Sequence, residues 1–443
     1  MKDQQVNIGI IGLGTVGTGV ARVLLEQREL LRTRTGILFN LKTISEINWD
    51  RDRSLNLTGV KCISKAEELL DDPEIDIVIE TIGGYDPAFR FIARALQNHK
   101  YVVTANKALI AVKGRELFEI AAQNGVELLY EASVGGGIPI IKSLREGLVA
   151  NKIESIYGIL NGTSNYILTR MHQDELEFSA ALKEAQARGF AEADPTLDVG
   201  GGDAAHKLTI LTSIVSSGLV EFKSLFVEGI TAITKLDISF AKSFGYTIKL
   251  LAIYRLLDSG LDLRVHPTLV PNSHLLAAVS NELNAIFVKG DFVGNTMFYG
   301  PGAGERPTAS SIVSDIVDLS RDLFLRGFAG SHCAPNSNNT YSTRSINLSQ
   351  TIKTVPIQDI KNRFYLRFFT LDEPGILSKI SGVLGDHGIS ISSMVQLESQ
   401  EKEHYVPIVI LTHEASEKAM EEALAIIGKY NFIKEDFLRL RIF

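Results

Sequence analysis

The sequence predicts an α/β protein of several domains: a doubly wound parallel sheet, then an α+β unit, then a small βαββαβ unit. Three observations carry this expectation. At 443 residues the chain exceeds what one ordinary core holds and calls for about two to four domains. Its first third alternates short β-branched runs with helical stretches, the rhythm of βαβ crossovers. Hydrophobic residues at 45%, charged residues at 22%, and 37 Gly against 12 Pro match a globular chain leaning towards α/β, and exclude disordered, collagenous and disulfide-built classes.

Taken in order, strands are expected at residues 6–11, 41–47, 75–81, 101–104 and 126–130, separated by helices at 15–32, 66–70, 87–98 and 114–124. Runs such as IDIVIET and KYVVTA are apolar nearly throughout, as strands covered on both faces should be; a buried helix would be longer and less β-branched. From about Pro139 the pattern turns to longer helices, 178–189 and 203–217, with strand-like pieces near 153–160, 263–269 and 285–289, an α+β unit. The amphipathic run TASSIVSDIVDLSRDLFLR at 308–326 opens on a Thr N-cap and is expected to pack back against the first domain. The Asn/Ser-rich stretch at 331–345 reads as a linker. Beyond it, 364–369, 375–387, 389–397, 405–412, 416–429 and 434–441 spell βαββαβ, a ferredoxin-like unit. The resulting boundaries are 1–138 with 305–330, then 139–304, a linker at 331–360, and a tail at 361–443.

A formal net charge of −7 leaves no footprint for nucleic acid or an anionic membrane, so a small molecule is the default partner. The two cysteines, Cys62 and Cys333, can build neither a disulfide framework nor a zinc cluster, which points to a reducing compartment. The apolar run at the N-terminus is broken by glycines and flows into a motif, unlike a cleaved signal. No segment reaches the roughly 18–20 uninterrupted apolar residues of a membrane span, and a cytoplasmic location is expected. The nine histidines lack metal-ligand spacing such as HExxH, and no P-loop or GxSxG occurs.

Gly12-Leu-Gly14-Thr15-Val16-Gly17 directly follows the strand VNIGII and opens a helix. In that setting GxGxxG marks a dinucleotide site: the first glycine makes the turn, the second admits a pyrophosphate, and the third lets helix and strand pack closely. Glu46 is the acidic residue expected to end the second strand, where its carboxylate accepts from a ribose 2′-OH and repels a 2′-phosphate, favouring NAD. Arg51 and Arg53 follow closely and could clamp a phosphate or form a solvated charge run, so NADP stays open. Lys107, in TANK, lies just past a strand's carboxyl end, where doubly wound folds bind ligands; a surface lysine opening a helix is the plainer reading.

The richest stretch is GFAEADPTLDVGGGDAAHKLTIL, residues 189–211. Glu192, Asp194, Asp198 and Asp203 precede His206 and Lys207, with Asp203 and Lys207 spaced i,i+4. Carboxylates for an ammonium and donors for a carboxylate suit an amino-acid substrate; the alternative is an acidic loop capping a helix. Glu131 and the glycine-rich run after it could hold a hard monovalent cation or simply turn the chain. In the tail, the turn Asp372-Glu-Pro374-Gly375 joins the first strand to its helix, and Gly375 lets a ligand approach closely.

GLGTVG, TANKAL, EASVGGGIPI, LNGTSNYIL and above all AEADPTLDVGGGDAAHKL, in that order across residues 6–330, resemble homoserine dehydrogenase. The tail segment FFTLDEPGILSKISGVLGDHGISISSM resembles an ACT domain. The resemblance implies a Rossmann-type NAD(P)-binding domain, an α+β catalytic and dimerisation domain, and a regulatory ACT domain. The implied reaction interconverts L-homoserine and L-aspartate 4-semialdehyde, with NAD or NADP, on the route to threonine, methionine and isoleucine. By motif it assigns Lys207 as acid/base at the substrate oxygen and Lys107 as the lysine positioning substrate and cofactor. Glu192 and Asp203 bind substrate, with Asp198 supporting them. Glu131, Val134, Gly136 and Ile138 match a sodium-binding loop, and Gly189 and Gly304 match cofactor contacts. A homodimer or homotetramer is implied.

L-threonine is the expected effector, acting through the turn of Asp372, Pro374 and Gly375, with paired tails from two subunits forming its site. Where many relatives carry an Arg-bearing segment after the second strand, this chain has SEINWDRDR. The nearest rival, aspartate-semialdehyde dehydrogenase, needs a catalytic cysteine, and neither cysteine is placed for one. A non-catalytic amino-acid sensor with NAD as a structural ligand is the rival from another class; the two lysines and the acidic cluster weigh against it.

Overall fold

The computed structural model describes residues 4–328, 347–396, 405–434 and 437–443. Residues 331–345, expected to be a linker, and Cys333 lie outside the described residues. The chain divides into two compact units: residues 1–153, 206–223 and 289–352 form one, and 154–205, 224–288 and 353–443 the other.

The first unit is built on a six-stranded parallel sheet: β1 (Gln4–Ile11), β2 (Ile37–Ser45), β3 (Lys61–Ile63), β4 (Ile77–Glu80), β5 (Tyr101–Thr104) and β6 (Leu128–Leu129). Their spatial order, 3-2-1-4-5-6, is the Rossmann arrangement, with its switch point between β1 and β4. Val6, Ile8, Ile10 and Ile11 are buried, as are all four residues of β4 and of β5, so the apolar runs are strands covered on both faces. Every side-chain row of these strands therefore loses water on folding, which favours this pairing.

Three details differ from expectation. The helix foreseen over 15–32 breaks into Thr15–Glu26 and Arg28–Thr35, because Gln27 sits outside helical geometry at φ −105°, ψ 17°. β2 starts earlier, at Ile37, since its inward residues alternate from there onwards. The helix foreseen from residue 114 begins at Lys107, capped by Asn106, whose side chain accepts from the Leu109 amide. The helix Glu305–Phe328 packs on Thr15–Glu26, with Arg22 Nε donating to Glu305 Oε1 at 3.1 Å.

The second unit carries one continuous mixed sheet. The strands Leu283–Gly290, Ile153–Ile159, Tyr246–Leu257, Gly260–Pro271, Leu438–Ile442, Lys361–Leu371, Tyr405–Thr412 and Ile391–Gln396 lie side by side in that order. The last four, with helices Ile376–Asp386 and Glu417–Ile427, are the βαββαβ tail. Its core is Phe364, Leu366 and Phe368 on the first strand packed against Ile380, Leu384, Met420 and Leu424 of the two helices. The joint falls where Thr268 pairs with Arg441 and Leu269 with Ile442 in parallel. Helix Gly162–Gln173 packs on Tyr246–Leu257.

Candidate active site

In the first unit, the turn after β1 is a cradle made by glycine. Gly12 has φ +94°, and a β-carbon there would lie 2.7 Å from Ile82 Cγ2. A β-carbon at Gly17 would overlap the Gly12 carbonyl oxygen, while above Gly14 there is open space. Helix Thr15–Glu26 then starts at Gly14 with no side-chain cap, so its first-turn amides at Thr15, Val16 and Gly17 present an uncapped positive end to the turn. Such a terminus fits a pyrophosphate, and the residues present suit a dinucleotide.

Glu46 stands just beyond β2, as foreseen, and its carboxylate is turned on this turn. Its Oε2 accepts from the Leu13 amide at 2.6 Å and its Oε1 from Asn48 at 2.9 Å. Burial opposes its charge, but those amides and Arg53 hold its carboxyl below the usual range. Arg53 Nε donates to the Leu13 carbonyl at 2.6 Å, and its guanidinium lies 3.5 Å from Glu46. Arg53 is therefore folded onto the loop. Thr81 hydroxyl donates to the Gly12 carbonyl at 2.7 Å, tying β4 to the same turn.

Lys107 is placed by a chain of polar contacts that composition alone did not reveal. Glu80, fully buried at the end of β4, accepts from the Ile82 and Gly83 amides at 2.8 and 2.9 Å and from Thr104 Oγ1 at 2.6 Å. Thr104 Oγ1 accepts in turn from the Asn106 amide, and Asn106 Nδ2 donates to the Gly84 carbonyl at 2.7 Å. These bonds fix the turn from which Lys107 opens its helix. The missed signal was a carboxylate ending an otherwise apolar strand, IVIE.

Glu131 is buried, with Oε1 accepting from the Ile141 amide at 2.9 Å and Oε2 from Lys142 at 2.7 Å. Burial pushes its carboxyl up to about 7 against those amides and the charges of Arg145 and Lys142. Asp315, whose Oδ2 accepts from the Glu131 amide at 2.9 Å, is pushed well above the usual range by burial and by Glu131. The Gly136 carbonyl accepts from Ser311 and the Ile138 carbonyl from the Ile140 amide; each keeps a second lone pair. Val134 and Ile138 are buried in the same loop. A hard monovalent cation on these carbonyls fits a site with two adjacent buried carboxylates. Gly304, at φ +116°, immediately precedes helix Glu305–Phe328. Cys62 is exposed on β3, and burial of part of its side chain raises its thiol, the opposite of an activated nucleophile.

In the second unit, one amide gathers two of the foreseen carboxylates. Asn161 caps helix Gly162–Gln173 by accepting from the Ser164 amide at 2.8 Å, which orients its Nδ2. That nitrogen donates to Asp198 Oδ1 at 2.7 Å and Asp203 Oδ2 at 2.9 Å. Ser164 Oγ fixes the Asp198 carbonyl at 2.9 Å. Asp203 is 4% exposed and begins helix Gly202–Val215, which also carries buried Lys207 one turn on. Glu192 is exposed, and its carbonyl accepts from Gln186. Asp194 instead caps Thr196, accepting its hydroxyl at 2.6 Å. Gly189 takes φ +76° beyond helix Phe178–Ala187. Asn161 is a functional residue that motif reasoning missed, although an Asn preceding GTSN is an N-cap signal.

In the tail, Asp372, Pro374 and Gly375 form an exposed turn; Gly375 has φ +89° and heads helix Ile376–Asp386, and Asp372 Oδ1 accepts from Gln396 at 3.3 Å. Among the described residues no group of three His, Cys, Asp or Glu side chains could hold a metal ion, and no helix is long and apolar enough to cross a membrane.

Residues 139–317 match the family described as homoserine dehydrogenase, 12–131 its NAD binding domain, and 364–429 the ACT domain. The chain is 41% identical over 440 residues to the homoserine dehydrogenase of Pseudomonas aeruginosa, covering 99% of this chain and 98% of that one. A crystal structure of a homoserine dehydrogenase from Thiobacillus denitrificans superposes with a TM-score of 0.90 at 42% identity, covering 99% and 98% of the two chains. A hyperthermophilic archaeal homoserine dehydrogenase in complex with NADPH is similar at 27% identity and TM-score 0.62, over 72% of this chain and 98% of that one.

Proposed function

The chain belongs to the homoserine dehydrogenase family, NAD(P)-dependent oxidoreductases, and from that premise we propose how its own residues divide the work. The observation that carries the reading is the Asn161 amide holding Asp198 and Asp203 together. A carboxylate pair fixed in this way, with exposed Glu192 beyond it, suits the ammonium of homoserine or of aspartate 4-semialdehyde.

A dinucleotide held through its pyrophosphate by the Gly12–Gly17 turn would supply the hydride acceptor for C4 of the substrate, and the donor in reverse. Lys207 takes the hydroxyl proton as the alcohol is oxidised and returns it in reverse; as an ammonium it stabilises the alkoxide. Lys107, on its braced turn, orients substrate and cofactor. Gly189 and Gly304 let the backbone approach the dinucleotide. NAD is the preferred cofactor, supported by the Glu46 carboxylate at the edge of the turn and by Arg53 being folded onto Leu13. Glu131, Val134, Gly136 and Ile138 would hold sodium, whose charge would favour the ionised carboxylates that burial opposes at Glu131 and Asp315.

The same reading places the enzyme in threonine, methionine and isoleucine synthesis, as a cytoplasmic homodimer or homotetramer. L-threonine acts at the turn of Asp372, Pro374 and Gly375, where the open space above Gly375 supports close approach of a ligand. Asn161→Ala tests the carrying observation: KM for homoserine should rise by about tenfold or more, with KM for the cofactor unchanged. An unaltered KM for homoserine contradicts it.

A further inference from the structure

Arg22 lies on helix Thr15–Glu26, and its guanidinium ties that helix to two other segments of the first unit. Its Nε donates to Glu305 Oε1 at 3.1 Å, its Nη2 to the Arg53 carbonyl at 3.2 Å, and its Nη1 to Glu26 Oε1 at 3.3 Å and the Ser54 carbonyl at 3.4 Å. Glu305 opens a helix pressed so closely on the first that a β-carbon at Gly19 would stand 2.6 Å from the Glu305 carbonyl oxygen. Arg22 is thus held from a fixed base, and its two outer nitrogens reach the backbone of the loop at Arg53 and Ser54.

That loop needs a tether. Ser54 sits at φ +49°, a left-handed conformation unfavourable for a residue with a β-carbon. Asp52 Oδ1 holds its amide at 2.8 Å, and Arg22 holds its carbonyl. Arg53, one residue back, turns its guanidinium on backbone carbonyls: Nε to Leu13 at 2.6 Å, Nη1 to Arg51 at 2.8 Å and Nη2 to Asn48 at 2.7 Å. These acceptors are neutral. A phosphate dianion is a stronger one, since charge-assisted bonds are roughly twice as strong as neutral ones. Glu46, to which the ribose 2′-OH is given, lies 3.5 Å from the same guanidinium, so a 2′-phosphate would meet Glu46 and Arg53 together.

We propose that Arg22 is a positioning residue for cofactor choice: by tethering the Arg53 and Ser54 carbonyls it keeps the Arg53 guanidinium on the nucleotide turn, withheld from a 2′-phosphate. Arg22 acts through Arg53, and the proposal rests on the preference for NAD read from Glu46. It accounts for how a chain with an arginine beside the ribose site avoids recruiting that arginine for NADP.

Equilibrium dialysis of the full chain against 2′,5′-ADP, with 5′-AMP as the probe lacking the 2′-phosphate, tests this. Arg22→Met should tighten 2′,5′-ADP by about tenfold and leave 5′-AMP within about twofold of the parent. Arg22→Lys keeps a cation for Glu305 but lacks the fork that spans two carbonyls, and should show a smaller gain. The gain should vanish when Arg53→Met is added to Arg22→Met. In steady state Arg22→Met should lower KM for NADPH with kcat unchanged. Weakening of both probes alike, the mark of a merely structural role, overturns the proposal, as does unchanged binding of both or a gain that survives Arg53→Met. A parent that prefers NADPH overturns it together with the role given to Glu46; in a parent that prefers NADH, the other contrary results overturn it alone.

Discussion

Arg367 grips Asp237 with two nitrogens, Nε at 2.7 Å and Nη2 at 3.2 Å, deep inside the second unit where Asp237 is 0% exposed. Tyr365 adds a hydroxyl to the same carboxylate at 2.9 Å, and the carboxylate also closes a capping box with Thr234 at the start of helix Lys235–Ser243. An ACT-domain strand is thereby locked to a helix of the catalytic domain, alongside the sheet that runs through both.

Removing one partner of a buried pair leaves an uncompensated charge, so Arg367→Met should lower unfolding free energy by about 3–5 kcal/mol. Urea denaturation followed by tryptophan-independent far-UV dichroism reads the change. A loss under about 1 kcal/mol, the range of exposed pairs, contradicts the account.

Lys249 gives a pH dependence with a definite sign. Its ammonium is 2% exposed, donating to Asn165 Oδ1 at 3.2 Å and to the Val279 carbonyl, and burial pulls its pKa from 10.5 to about 8. The folded state thus resists protonating Lys249. The destabilisation is complete below the folded value, fades as pH rises through it, and is absent above the unfolded value. A difference of this size corresponds to on the order of 3 kcal/mol. Relative to Lys249→Met, the parent should therefore gain stability as pH rises from 7 to 10 (about that range). A gap constant with pH in paired denaturation curves contradicts this.

Glu46 holds Leu13 with one oxygen and Asn48 with the other, so its removal should loosen the nucleotide turn as well as its discrimination. Glu46→Gln is expected to lower kcat/KM with NADH by about tenfold and with NADPH by less, narrowing the preference for NADH. An initial strong preference for NADPH contradicts the role given to Glu46.

Much of this was legible in sequence because it rests on local rules. GLGTVG names a turn that only glycines can form at Gly12 and Gly17, and the β-branched runs name strands buried on both faces. The tail's alternation of strand and helix was equally local. What escaped was non-local. Glu80 beside Thr104, Asn161 beside Asp198 and Asp203, and Asp237 beside Arg367 meet only after folding, across 24, 37, 42 and 130 positions of chain. No periodicity marks such pairs, and the junction of the ACT strand Leu438–Ile442 with Gly260–Pro271 has no sequence signature beyond two apolar strands.

The central claim, that Lys207 moves the substrate proton, is tested most directly by the kcat of Lys207→Ala in homoserine-dependent reduction of NAD+. That kcat should fall by about 10²–10⁴-fold, the worth of a positioned acid or base, with the Kd for NAD+ nearly unchanged. A variant that keeps the parent's kcat contradicts it.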